Sequence, residues 1–492
     1  MAEARVVIVG GGFAGLNAAK HLGNKEGVHV TLIDRRNHHL FQPLLYQVAL
    51  AALSPADIAT PIRSVLSDYE NVDVLLGNVR TVDFQHKKVT AGFGAVPYDY
   101  LILACGANHS YFGRDDWEEY APGLKSLEEA TEIRRRVLMA YEMAERTHDR
   151  ELQKEYLTFV IVGGGPTGVE MAGAIGEMSR YTLGRDFRNL DPRNTRIILV
   201  EGASRILNAF DSELSMKAAR GLEKLGVTIW TNSRVTDITP YGVKIGEETV
   251  RACTVLWAAG VRPAELSHRL GVPLDSAGRV SVEGDLSIPG HPDVFVLGDQ
   301  AHFEHNTPDG NALPGLAPVA IQMGRHVARN ILREVRGQSR EPFQYRDKGI
   351  MATIGRADAI VQVGKIRFGG MFAWLTWLFV HIMYLVGFKN RMLVMIQWFW
   401  SYVTLSRGAR LVTSRNWKSE KRFELAYRYI NTFEAASKAA REKNAGKNGT
   451  KQTTRAKKTA KVMRKSAVRK KGLRKTAARA KAVRKKALRK KK

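Results

Sequence analysis

Six glycines and two acids carry the first chemistry legible in this 492-residue chain. Gly10, Gly12 and Gly15 follow the β-branched run RVVIV, and Asp34 ends the next apolar run, VHVTLI. Gly163, Gly165 and Gly168 repeat the arrangement after the apolar run at 157–162, and Glu201 closes the run that follows. Glycine at these positions lets a backbone turn tightly between strand and helix and approach a pyrophosphate, whose charge then faces the helix N-terminus. The acid ending the next strand accepts hydrogen bonds from a ribose. One such loop is a weak signal, but two in strand–turn–helix context imply two dinucleotides. Glu201 lies 38 residues after Gly163, a long interval that RDFRNLDPRN at 185–194 explains as an inserted loop. A glutamate there repels a 2′-phosphate and favours NADH over NADPH, with Arg205 nearby as the opposing feature.

The elements that must hold these loops alternate strand and helix. Strands are expected at 98–104, ending in Cys105 and Gly106, and at 294–298, ending in Asp299; helices are expected over 126–148 and 314–335. Alternation of this kind implies an α/β fold with parallel sheets. Asp299 suits a hydrogen bond to a polyol such as the ribityl chain of a flavin, with an ordinary strand-end turn as the alternative. The order glycine loop, second glycine loop, Asp299 predicts two Rossmann-like dinucleotide-binding domains, the NADH domain inserted in the FAD domain. Residues 1–120 and 266–348 would form the FAD-binding domain and 121–265 the NADH-binding domain. The expected FAD contacts are Gly10, Gly12, Phe13, Ala14, Gly15, Asp34, Arg35, Gly106, Asp299 and Ala320. Gly163, Gly165, Gly168, Glu201 and Gly260 are the expected NADH contacts.

Composition narrows the rest. The formal charge of +28 suggests a nucleic-acid binder until it is divided along the chain. Residues 437–492 hold 25 Lys and Arg against one acid, Glu442, a surplus of +24 that leaves +4 for residues 1–436. Arginine recurs every five residues from Arg469 to Arg489, so the intervening apolar positions spiral around a helix and form no stripe. This tail is expected to be disordered, either as a solvated extension, as adhesion to anionic lipid, or as a nucleic-acid contact. The two cysteines, Cys105 and Cys253, form no CxxC pair and read as small buried side chains in a reducing compartment. His38 and His39 read as structure of the flavin domain, and no His, Cys and carboxylate cluster has metal-ligand spacing. Strand character begins within a few residues of Met1, leaving no room for a signal peptide, so the body is expected in the cytoplasm.

Residues 349–436 read as a C-terminal membrane-anchoring region. The segment 371–388 contains one ionisable residue, His381, and as a helix would span roughly 27 Å against a hydrocarbon core of about 30 Å. A second apolar stretch follows at 392–405, with Trp374, Trp377, Trp398 and Trp400 on the pair. Helices lying in the interface at the cytoplasmic face of the membrane are expected, with a single spanning helix at 371–388 and a buried dimer contact left open.

Between about residues 4 and 415 the chain resembles the type II NADH dehydrogenases, flavoenzymes of the pyridine nucleotide-disulfide reductase superfamily that lack the disulfide. The resemblance rests on GGGFAG at 10–15, NHHLFQPLLYQVA at 37–49, GGGPTGVE at 163–170, AAGVRP at 258–263, LGD at 297–299 and RMLVMIQWFW at 391–400. It implies FAD in the first site, NADH in the second and a membrane quinone as acceptor, without proton pumping. It also implies catalytic roles for Glu170, as a proton-handling or positioning group, and for Gln322 and Lys348 near the quinone. The family's AQxAxQ pattern reads Ala317, Pro318, Val319, Ala320, Ile321, Gln322 here, so Pro318 replaces one glutamine; Lys348 could equally be a surface lysine. Sulfide:quinone oxidoreductases and coenzyme A disulfide reductases resemble the same fold but work through cysteines, which are not placed for that role here. A flavoprotein whose tail grips a polyanion is the alternative of another class, and homodimer formation is left open.

Overall fold

The strand Ala4–Val9 lies at the centre of the first sheet, with Val6 to Val9 all buried. It pairs in parallel with Val28–Asp34 on one side and Tyr100–Leu103 on the other, so that Ile8 stands level with Leu32 and Ile102. Across the sheet the strands run 287–288, 291–296, 100–103, 4–9, 28–34 and 72–76. Only Ser287–Ile288 is antiparallel. Continuous apolar runs of this kind belong to strands covered on both faces. Helices Phe13–Leu22 and Ala317–Val335 pack together there, and they touch closely at Gly324, where a Cβ would overlap the Ala14 carbonyl oxygen. The computed structural model describes residues 3–413 apart from 185, 306, 308, 309 and 405–407. Those residues belong to one unit, Met1–Asn416; the basic tail, with its expected disorder, lies outside the described residues.

The second sheet repeats the device on four parallel strands, in the order Val227–Trp230, Arg196–Val200, Thr158–Val162, Thr254–Trp257. In both sheets the chain's glycine loop leaves a strand flanked on each side, the point where strand order reverses and a crevice opens. Between the sheets runs helix Leu127–Arg146, started by a capping box of Ser126 and Glu129. Its buried Arg134 donates to the Val48 and Leu53 carbonyls, pinning the helix to the segment that follows the first sheet's second strand. The expected insertion around 185–194 is held by Glu145, which accepts from the Arg188 and Asn189 backbone.

A three-stranded antiparallel meander, Ile350–Gly355, Asp358–Val363 and Ile366–Gly370, follows. It packs on helix Pro166–Glu177 so tightly that a Cβ on Gly173 would overlap the Ile354 carbonyl oxygen. Segment 371–388 is not one helix. Met371–Tyr384 ends after 14 residues, and Gly387, at φ +89°, turns the chain into Phe388–Thr404. Among the described residues no helix is long and apolar enough to cross a membrane. Of the four tryptophans, Trp377 is 2% exposed and Trp374 and Trp398 are partly covered, leaving only Trp400 open to solvent.

Candidate dinucleotide and acceptor sites

The two glycine loops repeat the same backbone and carboxylate hydrogen bonds at nearly the same lengths. Gly10 N donates to Ile33 O at 2.8 Å and Gly163 N to Val200 O at 2.8 Å. Both glycines lie in the left-handed region, at φ +108° and +109°, where a side chain would be strained. A Cβ on Gly15 would overlap the Gly10 carbonyl, and one on Gly168 the Gly163 carbonyl, so each helix can approach its own loop only without side chains. Asp34 accepts from Gly11 N at 2.5 Å and from Arg36 N at 2.7 Å. Glu201 accepts from Gly164 N at 2.6 Å and from Ala203 N at 2.7 Å. Nothing lies within 4 Å of a Cβ position on Gly12 or Gly165, which begin the two helices. Each loop therefore presents uncapped backbone N–H groups to open space beside a fixed carboxylate, the donor set a dinucleotide requires. The residues present fit FAD at one loop and NADH at the other.

Neighbouring groups complete the first cradle. Buried His39 donates from Nδ1 to the Gly11 carbonyl at 2.9 Å, and burial lowers its pKa, so the ring is neutral. Phe13 packs edge-on against it. Arg35 reaches Asn108 at 3.4 Å, just beyond Gly106. Gly298 turns at φ +67° beside Ala14 and Ala320, bringing Asp299 to the same end of the sheet. Sequence patterns gave no hint of Gln300, which is fully buried, accepts from Cys105 N at 3.1 Å and donates to Ser267 at 3.0 Å. Burial pushes the Cys105 thiol up to about 12, which leaves it un-ionised. In the second cradle Gly260, at φ +104°, lies under the exposed ring of Phe112. Arg205 spends its guanidinium on the Asn208 and Phe210 carbonyls.

Glu170 does not stand alone on its helix end. It lines a cavity with Tyr46, Gln47, Thr353, Trp377 and Trp398, closed on one side by the two C-terminal helices. Burial pushes its carboxyl up to about 8, opposed only by a hydrogen bond from the Thr353 backbone. The helices are docked there by specific contacts. Trp398 Nε1 donates to Gln47 Oε1 at 2.7 Å, and Gln47 donates to the Tyr46 hydroxyl at 2.9 Å. Trp377 packs on Trp398 of the other helix with ring centres 5.6 Å apart, and Arg356 lies 4.1 Å over the Tyr402 ring.

Gln322 and Lys348 are not among the residues lining that cavity. The Gln322 amide pairs in both directions with the Arg346 backbone, at 3.0 and 3.1 Å, holding the segment after its helix. Lys348 is exposed on the same segment. Pro318 sits in the first turn of helix Ala317–Val335, where a missing N–H costs nothing.

Two like cradles on two parallel sheets in one chain define a two-dinucleotide oxidoreductase. The chain belongs to the pyridine nucleotide-disulphide oxidoreductase family, whose model matches residues 4–324, and within it to the type II NADH:quinone oxidoreductases. It is 45% identical over 437 residues to the type II NADH:quinone oxidoreductase Ndh of Mycobacterium tuberculosis, covering 85% of this chain and 92% of that protein. It is 43% identical over 429 residues to NdhA of the same organism, covering 84% and 90%. Among solved structures, NDH2 from Plasmodium falciparum in complex with NADH superposes with a TM-score of 0.76 over 84% of this chain and 100% of that one, at 19% identity. The sulfide:quinone oxidoreductase of Aquifex aeolicus does so at 0.65, over 79% and 91%, at 20% identity. These two likenesses speak to the fold alone.

Proposed function

We propose that the chain is an FAD-dependent NADH:quinone oxidoreductase that docks on a membrane surface and pumps no protons. The observation that carries this reading is the duplicated cradle, each glycine loop paired to its own strand-end carboxylate. The high identity to type II NADH:quinone oxidoreductases over most of both chains supports the acceptor. Bound FAD would supply a hydride acceptor for NADH and a two-electron donor for the quinone. Residues 1–120 and 266–348 would hold the flavin and 121–265 the NADH.

The chain's own work is positioning, exclusion of water and handling of protons. The first loop and Asp34 would anchor one dinucleotide permanently, and the second loop and Glu201 would bind and release the other. Quinone reduction consumes two protons, and Glu170, neutral near pH 7, holds one inside a cavity walled by aromatic rings. Gln322 would act by fixing the 338–349 segment, from which Lys348 could reach an acceptor. Phe372, Phe379, Phe399 and Trp400 are exposed on the outer side of the C-terminal helices, with Lys389 and Arg391 between the two helices' apolar stretches. Such a surface supports helices lying in the interface, on the cytoplasmic face, with the tail adding attraction to anionic lipid. Neither a homodimer nor a nucleic-acid partner is needed for this reading.

The test is an assay of purified protein with NADH and either a menaquinone or a ubiquinone analogue, for the wild type and Pro318→Gln. Quinol formed one-for-one with NADH consumed is expected. NADH oxidation that leaves every quinone unreduced would overturn the proposal.

A further inference from the structure

A charged cluster lies where the chain enters helix Leu127–Arg146, outside both glycine loops, and joins residues of no motif to Asp299 of the LGD motif. Lys125 Nζ stands 3.6 Å from Asp299 Oδ2, with the two side chains only 20% and 26% exposed. The lysine's backbone is fixed. The Glu129 carboxylate accepts from Lys125 N at 2.7 Å, from Ser126 N at 2.9 Å and from His109 Nε2 at 3.2 Å. These bonds and the neighbouring imidazole hold that carboxyl down at about 2, so the clamp stays ionised through the neutral range. His109 itself belongs to the short strand Ala107–His109 that follows Gly106. Asp299 is fixed as firmly, since its turn packs beside Ala14 and Ala320 and its side chain lies against Gly315.

We infer that Lys125 is a flavin-positioning residue. Its ammonium neutralises the carboxylate that is to accept the cofactor's hydroxyl hydrogen bonds, and its remaining N–H groups would donate to cofactor oxygens beside Asp299. A lysine has three donors and a single carboxylate does not exhaust them. Charge-assisted bonds in a half-buried site are among the stronger ones a protein can offer.

The inference rests on FAD occupying the first cradle. The experiment dilutes the holoprotein and follows released FAD by its fluorescence, and separately measures the flavin midpoint potential. Lys125→Met is expected to raise the FAD dissociation constant by roughly tenfold or more and to lower the potential, while Lys125→Arg restores most of both. Adding Asp299→Asn to Lys125→Met should cost less than Asp299→Asn alone, because the two groups act together. Lys125→Gln reads the same two quantities should Lys125→Met fail to fold. Unchanged FAD release and unchanged potential in these variants would overturn the role of Lys125, even with a lowered melting temperature. Wild-type protein that takes up no FAD would instead overturn the reading beneath it.

Discussion

Glu170 is a carboxylic acid that the fold keeps neutral at pH 7. Its pKa of about 8 exceeds that of an unfolded glutamate, about 4.3, so between these values the folded chain binds the extra proton. Stability contributed this way is fully present below about pH 4.3 and is lost as pH rises through about 8. Glu170→Gln should therefore raise the melting temperature relative to wild type at pH 8.5 and leave it nearly unchanged at pH 4. The same variant should lower quinone turnover roughly tenfold or more and remove the alkaline fall in its pH profile, if the neutral acid donates a proton. A variant with the wild-type profile would remove Glu170 from proton transfer. Glu201 makes a second prediction at this scale. With Arg205 committed to carbonyl groups, Glu201→Gln should narrow the preference for NADH over NADPH by roughly tenfold, read as a ratio of kcat/KM values.

Among the elements, the strand–loop–helix units were legible because their signals are local. A glycine loop, the run before it and the acid after the next strand fall within about forty residues, and the backbone needs each of them. The cavity beside Glu170 was not legible, since it joins Gln47, Glu170, Thr353 and Trp398, whose neighbourhood only the tertiary fold creates. The grouping of Lys125, Glu129 and His109 escaped for the same reason, and Gln322, named by the family pattern, has its amide bound to the Arg346 backbone. The apolar count at 371–388 registered hydrophobicity but not the left-handed Gly387 that breaks the helix, nor the inward side of Trp377. Trp398→Phe tests the wall these helices make. It keeps an aromatic ring, though a smaller one, but deletes the donor to Gln47, so the KM for quinone should rise several-fold while flavin reduction by NADH is unchanged. Slowed flavin reduction would place Trp398 nearer the NADH half.

For the whole molecule, charge and chemistry separate. The body up to residue 436 carries +4 and the remainder +24, so deleting 437–492 removes nearly all the net charge without touching a cradle. That deletion should weaken binding to anionic liposomes, most at low salt, and leave NADH oxidation with a water-soluble acceptor unchanged. Liposome binding that survives intact would assign attachment to the exposed faces of the two C-terminal helices alone. The central claim is that one chain passes electrons from NADH through a bound flavin to a quinone. Anaerobic rapid mixing of the purified protein with NADH, followed by a quinone, tests it most directly. Full bleaching of the flavin band and its recovery on quinone addition is the expected result. A flavin that stays oxidised with NADH, or that once reduced ignores quinone, would contradict it.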